Sequence, residues 1–219
     1  MVVDALVAEG VERIFGLSGN PTHLVDDLAR HSKIQNVLVR HEHSGVACAN
    51  AHARVTGKPA VCYSNPGPGI TNLVTPVKTA YWNHTPLLLV TPQAANKTMG
   101  QGGFQEVPQM AVFEDMVAYQ EEVLHPARIA EVLNRVIIQA KRASAPAQIN
   151  VPRDFWTQVI EIELPAIVDF ERPSGGEEAI ARAAELLSKA KFPVILNGGG
   201  VVIGGAIKDT VALAERLDA

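Results

Sequence analysis

The chain lacks most of the features by which large protein classes are read from sequence. It has two cysteines, Cys48 and Cys62, and no Cys-x-x-Cys spacing. Reduced, buried thiols in a cytoplasmic protein are therefore expected. No apolar run approaches the roughly 20 residues of a membrane span, and Met1 leads into a polar-interrupted helix rather than a signal peptide. The net charge is only −4, and aromatic residues do not interleave with basic ones, so nothing marks a nucleic-acid surface. Metal and nucleotide motifs fail as well. His41-Glu42-His43 is followed by Gly45, which rules out two imidazoles sharing a helical face as zinc ligands. Gly198 and Gly200 are followed by Ile203 where a dinucleotide fingerprint needs glycine. There is no P-loop, no nucleophile elbow, no internal repeat and no low-complexity tract.

What is present is apolar periodicity. Of the 219 residues, 47% are apolar and 19% charged, the balance of a chain with a well-buried core. Short apolar runs at Arg13–Leu17, Val37–Val39, Pro59–Tyr63 and Leu87–Val90 alternate with helical patterns. This order predicts an α/β fold with a doubly wound parallel sheet. Ser18-Gly19-Asn20-Pro21 turns the chain into a helix ending near His31, and one continuous helix is predicted from Ile70 to Trp82. Helical pattern resumes at Val107, and Val117–Tyr119 reads as a short strand. Pro126 opens a helix with the stripe Ile129, Val132, Leu133, Val136, Ile137 and Ala140, before a last strand at Ala147–Val151. The first domain is placed at 1–154 and an extended Pro/Gly-bearing linker at 155–176. Residues 177–219 read as the start of a second α/β domain, with a strand at Pro193–Asn197, and the chain reads as truncated there.

The chemistry concentrates between Val37 and Asn72. The strand Val37-Leu38-Val39 delivers Glu42 into the first turn of an Ala-rich helix that closes at Gly57. The next strand ends in Asn65-Pro66-Gly67-Pro68-Gly69. Ligands of open α/β sheets bind beyond the carboxyl ends of the strands, where both segments lie. The bland alternative is that Glu42 is merely an acid favoured by the helix macrodipole. From Thr91 to Glu106 a long loop breaks the pattern, with Gly100, Gly102 and Gly103 giving it freedom. In it Phe104 and Gln105 offer an apolar wall and an amide, or else a mobile surface loop with an anchoring Phe.

Arg40-His41-Glu42 followed by Asn65-Pro66-Gly67-Pro68-Gly69-Ile70-Thr71-Asn72 resembles the pyrimidine-binding domain of thiamine-diphosphate enzymes of the acetolactate synthase type. From Tyr81 onward, Tyr81–Pro86, Gly100–Glu106, Tyr119–Glu122 and Ile149–Gln158 are similar to the sulfoacetaldehyde acetyltransferases of that family, whereas residues 13–72 look nearer to its generic members. The resemblance implies thiamine diphosphate as cofactor and Glu42 as the catalytic carboxylate that hydrogen-bonds the aminopyrimidine ring nitrogen. It implies Gly19, Pro68 and Asn72 around that ring, and Phe104 and Gln105 on a substrate-facing loop. His41, Asn65 and Asn83 lie near these motifs without an implied role.

The implied reaction is thiamine-dependent acyl transfer from sulfoacetaldehyde to phosphate, giving acetyl phosphate and sulfite. Partners would be these small molecules and further copies of the full-length enzyme, as a homodimer or homotetramer, with no nucleic acid and no membrane. Mg²⁺ would be held by a domain carrying a Gly-Asp-Gly motif, which this sequence lacks, so the isolated chain is expected to be inactive. A carboligase of the acetolactate synthase kind is the alternative. A non-catalytic α/β binding or assembly fragment is the alternative of another class.

Overall fold

The computed structural model describes residues 1–19, 22–168 and 174–219. Asn20 and Pro21 of the expected turn, and 169–173 of the expected linker, lie outside the described residues. The chain forms two compact units, Met1–Val168 and Asp169–Ala219.

In the first unit the elements alternate. They run α1 (Val2–Ala8), β1 (Arg13–Gly16), α2 (Thr22–Arg30), β2 (Gln35–Leu38), α3 (Glu42–Thr56), β3 (Ala60–Tyr63), α4 (Pro68–Thr71), α5 (Val74–Trp82) and β4 (Leu87–Gln93). After these come α6 (Gln109–Val112), β5 (Tyr119–Glu122), α7 (Ile129–Ala143) and β6 (Ala147–Pro152). The six strands make one sheet of order β2-β1-β3-β4-β6-β5, parallel at every pairing. The doubly wound α/β architecture read from the sequence is present.

Successive strand residues face opposite sides of a sheet, and the two cores follow that alternation. Ile14, Val61, Tyr63, Val90 and Ile149 pack with α1, α2 and α7 through Leu6, Leu24, Leu133 and Val136. Phe15, Cys62, Leu87 and Leu89 pack with α3 and α5 through Val46, Ala49, Val77 and Ala80. The α3 face is made of small residues, so its backbone lies close to the sheet. A Cβ on Gly45 would be 3.4 Å from Cys62 Sγ. Left-handed Gly57 (φ 68°) closes α3, where only glycine takes that conformation without strain.

Three expectations need correction. The helix predicted across 70–82 is two helices, broken at Asn72–Leu73. Pro76 explains the break, because it has no N–H for the Asn72 carbonyl and its ring crowds that oxygen. The strand predicted at Val117–Tyr119 lies instead at Tyr119–Glu122. Its two glutamates hide it from an apolar search, and only the fold supplies partners: Arg135 Nη1 on α7 donates to Glu121 Oε1 at 3.0 Å. The helical pattern at Val107 yields only the short α6.

The second unit holds α8 (Glu177–Ser188), α9 (Gly199–Ile203) and α10 (Ile207–Leu217). The strand expected at Pro193–Asn197 is not formed, and Val194 and Leu196 are 76% and 96% exposed. Among the described residues no neighbouring strand offers this segment a ladder, and a lone strand has no stability of its own.

Close packing at β1 gives a stability test. A Cβ on Gly16 would sit 2.5 Å from the ring of Tyr63, which is fully buried. Gly16→Ala should destabilise the first unit by about 1–3 kcal/mol through overpacking, read as a fall of several degrees in Tm. An unchanged Tm would mean that this contact is looser than described.

Candidate active site

The strand order places a reversal between β1 and β3. β1 continues through α2 to one side of the sheet and β2 reaches β3 through α3 on the other, so the loops after β1 and β3 diverge. Such a switch point opens a crevice at the carboxyl edge. Gly19, after β1, and Asn65, after β3, meet there: a Cβ on Gly19 would lie 2.6 Å from Asn65 Oδ1. Both walls are therefore in contact at the backbone of a glycine.

Glu42 enters from β2. His41 caps α3 in an extended conformation, its Nδ1 accepting from the His43 amide at 3.2 Å, and Glu42 follows as the first helical residue. The macrodipole favours an acid at that position, but the side chain does not lie in solvent. Glu42 is 5% exposed. A carboxylate removed from water requires a donor, and Asn72 Nδ2 donates to Oε2 at 3.0 Å. Asn72 ends the short α4, just before the break that separates it from α5. The other oxygen faces the next turn, since a Cβ on Gly69 would come within 3.1 Å of Oε1 and 3.0 Å of Asn65 Cβ. Any residue larger than glycine at position 69 would occupy the space beside the carboxylate.

Contacts thus run from Gly19 through Asn65 and Gly69 to Glu42 and Asn72. Pro68, exposed at the first position of α4, stands at the rim of this group. Gln105 joins through its backbone: Gly67 (φ 62°) packs so closely that a Cβ there would be 2.7 Å from the Gln105 carbonyl oxygen. Phe104 does not join, and its ring is 81% exposed.

The loop that carries Gln105 is organised by residues the sequence did not single out. Glu106 accepts from the amides of Gly100 (2.5 Å) and Gly103 (2.9 Å), closing residues 100–106 into a ring. The Gly100 bond first and the Gly103 bond second hold the Glu106 carboxyl below the usual glutamate range. Gln93 Nε2 donates to the Val107 carbonyl at 3.1 Å, tying the two ends of the loop. Gln109, fully buried, accepts from the Gly67 amide at 3.1 Å. An acid three residues beyond a glycine pair was the one local signal for Glu106. Nothing local marks Gln109.

Glu42 thus has one carboxylate oxygen held by an amide, and a glycine facing the other. A purely structural acid would not need position 69 kept free of a Cβ. Among the described residues no group of three or more His, Cys, Asp or Glu side chains gathers to hold a metal, and no helix is long and apolar enough to cross a membrane.

Residues 1–112 match the family profile described as thiamine pyrophosphate enzyme, N-terminal TPP binding domain. The chain is 64% identical over 217 residues to the sulfoacetaldehyde acetyltransferase of Roseovarius nubinhibens, covering 99% of this chain and 36% of that protein. It is 60% identical over 217 residues to a probable sulfoacetaldehyde acetyltransferase of Rhizobium meliloti, with 99% and 37% covered. A probable acetolactate synthase large subunit of Methanocaldococcus jannaschii is 35% identical over 222 residues, with 98% and 38% covered. Among solved structures, the thiamine diphosphate-dependent 4-hydroxybenzoylformate decarboxylase of Rhodococcus jostii superposes with a TM-score of 0.89 at 24% identity, covering all of this chain and 42% of that one. That likeness is one of fold. The chain spans little more than a third of the relatives it matches (36% of the first).

The site also separates the two thiols. Cys62 lies beneath α3, and burial first, then the Glu42 charge, pushes its thiol far above the ordinary range. Cys48, expected to be buried as well, is instead exposed on that helix. Since the thiolate is the reactive form, the folded 219-residue chain at about pH 8 should show one promptly reacting thiol, Cys48, and a second only after denaturation. Two thiols reacting together with a disulfide reagent in the folded chain would contradict the burial of Cys62.

Proposed function

Because the chain belongs to the thiamine pyrophosphate enzymes, through their N-terminal cofactor-binding domain, we propose that it supplies the pyrimidine half of a thiamine-diphosphate site. The site would sit in a longer polypeptide that converts sulfoacetaldehyde and phosphate to acetyl phosphate and sulfite. The observation that carries the first part is the buried Glu42, anchored by Asn72 and faced by Gly69.

Glu42 is the catalytic group. Its carboxylate would hold the ring nitrogen of the aminopyrimidine and would be the group that exchanges a proton there. An amide in its place accepts a hydrogen bond but exchanges no proton. Asn72 fixes the direction of the carboxylate, Gly69 keeps the approach to it open, and Gly19 and Pro68 border the ring from the two walls of the crevice. The cofactor, when bound, supplies the electron sink for carbanion chemistry at the aldehyde carbon. Gln105, held against the Gly67 turn, and Phe104 on the same loop face the substrate side.

The diphosphate and its Mg²⁺ fall to another domain, since no Gly-Asp-Gly motif occurs in this chain. A site divided in this way supports an assembly in which a second copy faces this domain, as a homodimer or homotetramer. The substrate reading rests on the 64% and 60% identities to sulfoacetaldehyde acetyltransferases, against 35% to an acetolactate synthase. The reaction balances without an outside oxidant. The aldehyde carbon rises to the acyl level as the adjacent C–S bond breaks and its electron pair leaves with sulfite, and phosphate then takes the acyl group.

With thiamine diphosphate, Mg²⁺ and phosphate, the full-length protein should release sulfite and acetyl phosphate from sulfoacetaldehyde and make little acetolactate from pyruvate. Acetolactate formed while sulfoacetaldehyde stays intact would replace this substrate reading with a carboligase. Glu42→Gln should lower kcat by roughly 10²–10⁴-fold, the usual weight of one acid–base group, with little change in Tm. Undiminished activity in that variant would remove Glu42 from the mechanism.

A further inference from the structure

The sheet reverses twice. Beyond the crevice between β1 and β3, the order β4-β6-β5 makes a second reversal. β4 leads to β5 by way of α6, and β5 returns to β6 by way of α7. A crevice at the carboxyl ends of β4 and β6 follows from that topology. Leading up to it, β4 and β6 carry linked polar side chains. Thr91 Oγ1 donates to Asn150 Oδ1 at 3.0 Å, and Gln148 Nε2 donates to Thr91 Oγ1 at 2.9 Å. Gln109 Nε2 donates to the Pro92 carbonyl and to Asn150 Oδ1, each at 2.8 Å. All four side chains are fully buried.

Gln109 differs from the other three because it also reaches out of this crevice. Its Oε1 accepts from the Gly67 amide at 3.1 Å. One side chain thus joins the end of β4, the interior of β6 and the turn after β3. Only one orientation of the amide satisfies these partners. Reversed, its N–H groups would oppose the Gly67 N–H and its oxygen would face two acceptor oxygens. Gly67 is held on two sides, with its amide on Gln109 and its α-carbon pressed against the Gln105 backbone, in a left-handed conformation (φ 62°). Pro68 and Gly69 follow directly, so displacement of Gly67 is felt beside Glu42.

We propose that Gln109 is a positioning residue that locks the Gly67 turn and the Gln105 loop into one unit at the cofactor's pyrimidine ring. The proposal rests on the reading of that crevice as the pyrimidine site. A space-filling side chain would require only volume. Three directed bonds to three separate segments set the relative placement of those segments, and one of them is a wall of the site. Loss of the bonds lets the turn and the loop relax apart. The effect expected is a weaker hold on cofactor, beyond what an equal loss of overall stability elsewhere in the unit produces.

The test uses the full-length protein and titration calorimetry of thiamine diphosphate with Mg²⁺, alongside Tm. Gln109→Met conserves volume and removes all three bonds, and it should raise the cofactor Kd about tenfold, the effect of one to two net hydrogen bonds. Gln109→Glu conserves volume but sets an oxygen against the Pro92 carbonyl and Asn150 Oδ1, and should raise Kd at least as much as Gln109→Met, a loss that packing volume alone does not predict. Thr85→Val serves as the control. It removes a buried 2.7 Å bond to Asn50 at the amino-terminal end of the sheet, and should lower Tm without moving Kd. Wild-type Kd in Gln109→Met overturns the positioning role, and so does an equal rise in Thr85→Val at matched loss of Tm. If Gln109→Met does not fold, Gln109→Asn takes its place with the same two outcomes. That variant is one methylene shorter and still able to donate into the crevice. A wild-type protein that binds no thiamine diphosphate would instead take away the reading of the crevice itself.

Discussion

A carboxylate held away from water must be met by a donor, and the hydrogen bond from Asn72 to Glu42 is the contact on which the rest of this site depends. Several otherwise separate features serve it. His41 starts α3 in time to make Glu42 its first residue, and Asn72 ends the short α4 within reach of the carboxylate. Gly69 leaves the carboxylate open on the side opposite to its partner. An acid that served only the helix macrodipole would be stabilised equally well in solvent, with none of these arrangements.

The two reversals of the sheet are used differently. At the first, between β1 and β3, the walls are glycine-rich and meet at Gly19 and Asn65. At the second, between β4 and β6, four buried polar side chains are linked to one another by hydrogen bonds. The hydrogen-bonded cluster thus flanks the Glu42 crevice, to which Gln109 joins it. The segment between Gln93 and Gln109 accordingly behaves as a wall. It is closed on itself by Glu106 and pinned at its two ends by Gln93 and Gln109. The large apolar side chain that this loop exposes to solvent is Phe104.

The sequence by itself determined what depends on near neighbours. Apolar runs and helical stripes set the order of the strands and helices, Gly57 set the end of α3, and the position of Glu42 at the start of that helix was plain. So was the family likeness carried by Arg40-His41-Glu42 and the Asn65–Asn72 run, because these motifs are contiguous. Tertiary structure decided whatever depends on partners far along the chain. Asn72 lies 30 residues from the acid it anchors, and Gln109 lies 42 residues from Gly67. β5 is a strand because Arg135 answers its Glu121 and β6 offers it a ladder. Pro193–Asn197 has the same kind of composition as a strand but no such neighbour among the described residues, and stays irregular. Local propensity is short-ranged, whereas a ladder bond or a buried polar partner exists only once the order of the sheet has brought the two segments together.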